Sequence, residues 1–134
     1  MKFLVAFLLV LVYCKVDAAT DGDLARIRDS SVLAYGNLES GAYYLEERQY
    51  RQQVTDAVTA LSTLNSLATI ALPPYSYPVY EEIVYYDGHQ SLTNIVSILQ
   101  TYAPGAPVDV REYLENAYRY TIDTQQALRN LANP

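Results

Sequence analysis

Five tyrosines, Tyr75, Tyr77, Tyr80, Tyr85 and Tyr86, crowd the segment P-P-Y-S-Y-P-V-Y-E-E-I-V-Y-Y-D-G. A phenol can do two things without a catalytic partner. It offers a flat apolar ring with a polar tip, which suits a contact surface. It can also lose an electron and a proton and couple to a second phenol through a ring carbon. That many rings in so short a stretch cannot all turn inward. Some are expected at the surface, as interaction or cross-linking residues.

The other candidate groups point to little chemistry. His89 is the only histidine, and it stands in D-G-H-Q-S without a Cys or a Ser elbow that would make it the base of a nucleophile. It reads as a polar residue at a helix start. Asp21-Gly22-Asp23 lacks the further ligand spacing of a calcium loop. Glu46-Glu47 and Glu81-Glu82 are adjacent in sequence, which sends the carboxylates of each pair to different sides of a helix and spoils them for acid/base work. Tyr80-Glu81-Glu82-Ile83 matches a phosphotyrosine motif read by SH2 domains, but an exported chain would not meet cytosolic kinases. The reading is no catalytic residue, no cofactor and no metal site, and hence not an enzyme.

Composition narrows the partners. Lys2 followed by the apolar run Phe3 to Cys14, with Val16-Asp17-Ala18 behind it, has the form of a secretory signal peptide cleaved after Ala18. The run is short for a membrane span. Residues 1–18 hold the only Cys and Met, both Phe and both Lys, so residues 19–134 carry Arg as their only strong cation and Tyr as their only phenyl-ring residue. An acidic chain, net charge −6, is repelled by nucleic-acid phosphates and anionic membranes. We therefore expect no nucleic-acid partner and no membrane contact after cleavage. Without Cys or Lys, an extracellular chain can form neither disulfide nor lysine-derived cross-links, and tyrosine coupling is the main covalent route left.

These residues need elements to hold them. The stretch Val54 to Leu72 has no charge after Asp56, and Val58, Leu61, Leu64, Leu67 and Ile70 recur every third residue. That stripe winds around a helix of 3.6 residues per turn, so the helix should be buried on more than one side. A first helix is expected from about Asp21, with Leu24, Ile27, Tyr35 and Leu38 on its inner face and Ser31 completing it. A break or kink is expected near Gly41, where the apolar phase changes. The second helix then runs from about Ala42 to Leu72, with Tyr43, Tyr50, Val54, Ala57, Leu61 and Leu64 inward, and Pro73-Pro74 ends it.

The connection should be extended and polyproline-like up to Tyr77. A short helix is read from Pro78, closed before Gly88; the residues also allow a β-strand from Val79 to Tyr86. A third main helix spans about His89 to Ala103, with Leu92, Ile95, Val96, Leu99 and Tyr102 on one face. The last starts with Asp109 as cap and Glu112 completing a capping box, and buries Val110, Leu114, Ala117, Leu128 and Leu131. Tyr35, Tyr50, Tyr102, Tyr113 and Tyr120 are assigned to core positions.

The fold class is thus all-α: one signal segment, 1–18, and a single helical-bundle domain, 19–134, of about four main helices. A Tyr/Pro-rich connection, 73–87, links the second and third. Two functional classes fit. One is a secreted, non-enzymatic structural or interaction protein, using the Tyr/Pro segment as contact or cross-linking surface toward other extracellular proteins or copies of itself. The other is an extracellular carrier holding a small apolar ligand inside the bundle.

Overall fold

The computed structural model describes the backbone of residues 2–133 and the side chains of residues 20–133. The expected signal segment, 1–18, lies outside the described side chains. Five helices follow in order: α1 (Lys2–Glu46), α2 (Arg51–Ala71), α3 (Tyr80–Val84), α4 (His89–Tyr102) and α5 (Val108–Ala132). The protein is an all-α bundle of four main helices with one short extra helix between the second and third.

Cross-helix contacts set the directions. Arg26 meets Asp123 and Tyr43 meets Asp109, so α1 and α5 run antiparallel. Asn65 Nδ2 donates to the Arg28 carbonyl at 2.7 Å, so α1 and α2 are antiparallel as well. Tyr50 at the head of α2 meets Tyr102 at the foot of α4. The result is an up-down-up-down bundle, the arrangement that lets neighbouring apolar faces close on one another. The widest interfaces are those of α1 with α5 and with α2.

The core is aliphatic. Ile27, Leu38, Leu61, Leu64, Ile95, Leu99 and Leu114 are fully buried; each such side chain stabilises the fold by about 1.5–3 kcal/mol relative to exposure. On α2 the inward residues are Val54, Ala57, Ala60, Leu61, Leu64 and Ala68. The third-residue stripe contributes only Leu61 and Leu64 to the full interior, while Val58, Leu67 and Ile70 are half-buried. Ala57, Ala60 and Ala68 share the fully buried positions with Leu61 and Leu64.

The break between the first two helices is not at Gly41. Helix α1 continues through it to Glu46, and the chain turns over residues 47–50. Gln49 adopts a left-handed φ of 69°. Tyr50 N–H then bonds the Leu45 carbonyl at 3.1 Å and Gln49 N–H the Glu46 carbonyl at 3.0 Å, which satisfies two helix-end acceptors in a Schellman arrangement. Gly41 is instead a packing residue. A Cβ built on it would lie 2.7 Å from Leu114 Cδ2 and 3.4 Å from Val110 Cγ1, so the missing side chain is what lets α5 cross here.

Other expectations shift for similar reasons. The backbone is already helical before Asp21, where the first helix was expected to begin. The shift in break moves the inward tyrosine from Tyr43, 48% exposed, to Tyr44, 8% exposed. Asp109 does not cap α5: Pro107 holds the cap position with an extended ψ of 151°, and no side chain caps the helix. The Asp109 carboxylate sits within the first turn, where it still favours the positive helix end. Tyr113 faces solvent, 45% exposed, whereas Tyr35, Tyr50, Tyr102 and Tyr120 pack against the core. All five residues assigned to the inner face of α5 are buried there, joined by Thr121, Thr124 and Ala127.

Candidate functional site

The Tyr/Pro connection begins where α2 can no longer continue. Leu72 is buried and its backbone is extended, and the Pro73–Pro74 peptide bond is cis. The segment that follows is not an extended polyproline strand. It folds back over the end of α2, with Ser76 N–H on the Leu72 carbonyl at 3.0 Å and Tyr77 N–H on the Ile70 carbonyl at 2.8 Å. The last carbonyls of a helix lack intrahelical partners, and the amides of this turn supply them. Ser76 takes a left-handed φ of 53° to complete it.

Backbone held in this way displays its side chains outward. Tyr75 is 57% exposed, Tyr77 55%, Tyr80 38% and Tyr85 80%. The Tyr75 and Tyr77 rings are tilted neighbours with centroids 6.3 Å apart. Tyr80, at the head of α3, is tethered, its hydroxyl donating to the Leu131 carbonyl at 2.7 Å near the end of α5. Helix α3 itself runs only over Tyr80–Val84 and anchors through the fully buried Ile83. Pro78 precedes it by two residues, and Gly88 belongs to α4 as its cap. Residues 79–86 form no strand, and Tyr80–Val84 within them are helical.

Tyr86 is the exception within the cluster. It is half-buried and packs against the core, and its ring stands edge-on to His89 at 6.3 Å. Gly88 makes the turn that allows this: a Cβ there would sit 2.1 Å from Tyr86 Cε1. His89, in the tautomer protonated on Nε2, donates to the Ile83 carbonyl at 3.2 Å. It therefore ties α3 to the head of α4.

A second tyrosine arrangement was not legible in the sequence. Tyr50 and Tyr102, both half-buried, bring their hydroxyl oxygens to 3.1 Å and their ring centroids to 5.3 Å with planes inclined at 54°. The hydrogen bond with Tyr102, then loss of hydration, holds the Tyr50 phenol above its ordinary value. Both residues were assigned to the core, but only the topology brings them together across 52 positions. Tyr44 is likewise covered by the Arg48 guanidinium, 3.5 Å from the ring centre, a cation–π contact at the end of α1.

Comparison with known protein families, curated proteins and solved structures gives no match. The geometry is then the ground for a functional reading. Among the described residues, no three His, Cys, Asp or Glu side chains converge as a metal site, and no helix is long and apolar enough to cross a membrane. The concavities described open at the surface. One of about 290 Å³ lies between α4 and α5, lined by Leu99, Ala103, Pro104 and Tyr118 with Glu115 and Arg119 at its edge. Another, of about 260 Å³ beside His89 and Arg129, is more polar.

Proposed function

We propose that this is a secreted, non-enzymatic structural or interaction protein whose Tyr75–Tyr85 segment is its contact and cross-linking surface. The observation that carries the reading is the outward display of Tyr75 and Tyr77 on a turn whose backbone is hydrogen-bonded to the end of α2, and of Tyr85 at the close of α3. A surface fixed before binding loses little conformational entropy on contact, and exposed tyrosines contribute large rigid area at low entropic cost. The same exposure leaves their ring carbons open to a phenol on another chain. Export, through cleavage after Ala18, belongs to this proposal, as do extracellular partners or further copies of the chain.

The carrier reading draws less support. The inner faces of all four main helices meet in a filled aliphatic core, and the described concavities are open grooves instead of an enclosed apolar chamber.

The test uses the concentrated chain with a peroxidase and hydrogen peroxide, read on a boiled denaturing gel for dityrosine fluorescence. The expected result is a fluorescent high-mass ladder. The triple variant Tyr75→Ser, Tyr77→Ser, Tyr85→Ser should lose most of it while keeping its helical circular dichroism, since none of the three hydroxyls makes a side-chain hydrogen bond among the described residues. A dark single band, or an equal ladder from the variant, overturns the cross-linking role. Loss of self-association without any covalent ladder would narrow the segment to a non-covalent contact.

A further inference from the structure

The geometry points to Tyr50 and Tyr102 as an intramolecular oxidative coupling site, a biaryl staple between the head of α2 and the foot of α4. This concerns rings other than those of the exposed segment and does not depend on that segment's role. The hydroxyl oxygens are 3.1 Å apart while the ring centroids are 5.3 Å apart, so the two rings converge at their phenolic ends. The carbons flanking each hydroxyl are the positions where phenoxyl radicals bond, and they belong to the ends of the two rings that converge. Both rings are half-buried against the core, which keeps one presented to the other at high effective concentration. Neither ring is fully buried, so part of each stays open to solvent.

The step balances with an oxidant of the peroxide class acting through a one-electron peroxidase. Each phenol gives up one electron and one proton. The two radicals join through one ortho carbon each, forming a carbon–carbon bond. The hydrogen on each joined carbon then moves to its ring oxygen and restores the phenol. The chain loses two hydrogen atoms in all, and one hydrogen peroxide becomes two waters. The link would close a loop across 52 positions, doing in a chain without Cys beyond residue 18 what a disulfide does elsewhere: restricting the unfolded ensemble.

The experiment treats the full chain with peroxidase and hydrogen peroxide at high dilution, where encounters between chains are rare, and isolates the monomer. The expected product is a fluorescent monomer lighter by two hydrogen atoms, yielding a cross-linked peptide pair containing Tyr50 and Tyr102. Its thermal midpoint should rise by on the order of 10 °C. Tyr102→Phe, checked for native circular dichroism, should lose about tenfold of the monomer fluorescence. A monomer of unchanged mass, a link mapped to Tyr75 and Tyr77, or undiminished fluorescence in Tyr102→Phe overturns the proposal. A high-mass ladder at high concentration with an unmodified monomer at dilution would leave the exposed-segment reading standing and sink this one.

Discussion

Ser30 and Thr124 meet inside the α1–α5 interface with hydroxyl oxygens 2.7 Å apart, Thr124 fully buried. Each also approaches a carbonyl of its own helix, Ser30 that of Arg26 at 2.7 Å and Thr124 that of Tyr120 at 2.9 Å. Two hydroxyl protons can serve only two of these three contacts at once. One hydroxyl therefore donates across the interface and the other to its own backbone. Thr124→Val keeps the shape and removes one proton, while Ser30 retains the Arg26 carbonyl. The expected cost is about 1 kcal/mol, the net worth of one buried hydrogen bond. Ser30→Ala with Thr124→Val should cost less than the sum of the singles by about 0.5–1 kcal/mol, because the double change leaves no hydroxyl short of its partner. Denaturant titrations of the four chains measure this, and strict additivity would refute the cross-interface bond. The pair is a reminder that a serine on a helix can be interior. Ser31 was legible as an inner-face residue from its helical register alone, whereas Ser30 needed a partner 94 positions away.

Helix boundaries follow from residues that can be read two ways. Gly36 and Gly41 both lie inside α1. A Cβ at Gly36 would meet nothing within 4 Å, while one at Gly41 would meet Leu114 and Val110. Gly36→Ala should therefore stabilise by about 0.5–1 kcal/mol through helix propensity and a less flexible unfolded chain. Gly41→Ala gains the same propensity but overpacks a closed interface, which costs about 1–3 kcal/mol, so a net loss is expected. Thermal midpoints moving in opposite directions would bear this out; two equal gains would mean that α5 is not held against Gly41. This double meaning is also why the break was misplaced. Glycine is the usual left-handed residue that stops a helix, and here the stop is made by Gln49, whose side chain carries no such signal. By contrast Pro73-Pro74 admits one reading, and the α2 end, the α4 span and the inner face of α5 were all legible. Within the tyrosine cluster, crowding implied that some of the five rings are exposed, but not that these are Tyr75, Tyr77, Tyr80 and Tyr85. The inward turn of Tyr86 depends on contacts with His89 and Gly88 that no spacing rule anticipates.

At the scale of the whole molecule, fourteen tyrosines on a chain of net charge −6 make alkaline pH the condition that should undo the fold. Two described phenols show how. The Tyr50 phenol is held above its ordinary value by the hydrogen bond with Tyr102. The Tyr43 phenol is raised by loss of hydration, then by the charge and hydrogen bond of Asp109, whose carboxylate lies 3.5 Å away. A group whose folded pKa lies above its unfolded value holds its proton longer in the native state. Its contribution to stability is complete below the unfolded value, about 10 for tyrosine, and is lost as pH climbs through the folded value. Every further phenolate also adds negative charge to a chain that already repels itself. The thermal midpoint should therefore stay level from neutrality to about pH 9 and fall steeply beyond about pH 10. Circular dichroism melts across that range, paired with tyrosinate absorbance, measure both sides of the linkage. Tyr50→Phe should shallow the alkaline fall, since it removes one of the raised phenols. A midpoint indifferent to pH through the phenol range would mean that these tyrosines titrate alike in folded and unfolded chains, and that the Tyr50–Tyr102 contact is too loose to hold a proton.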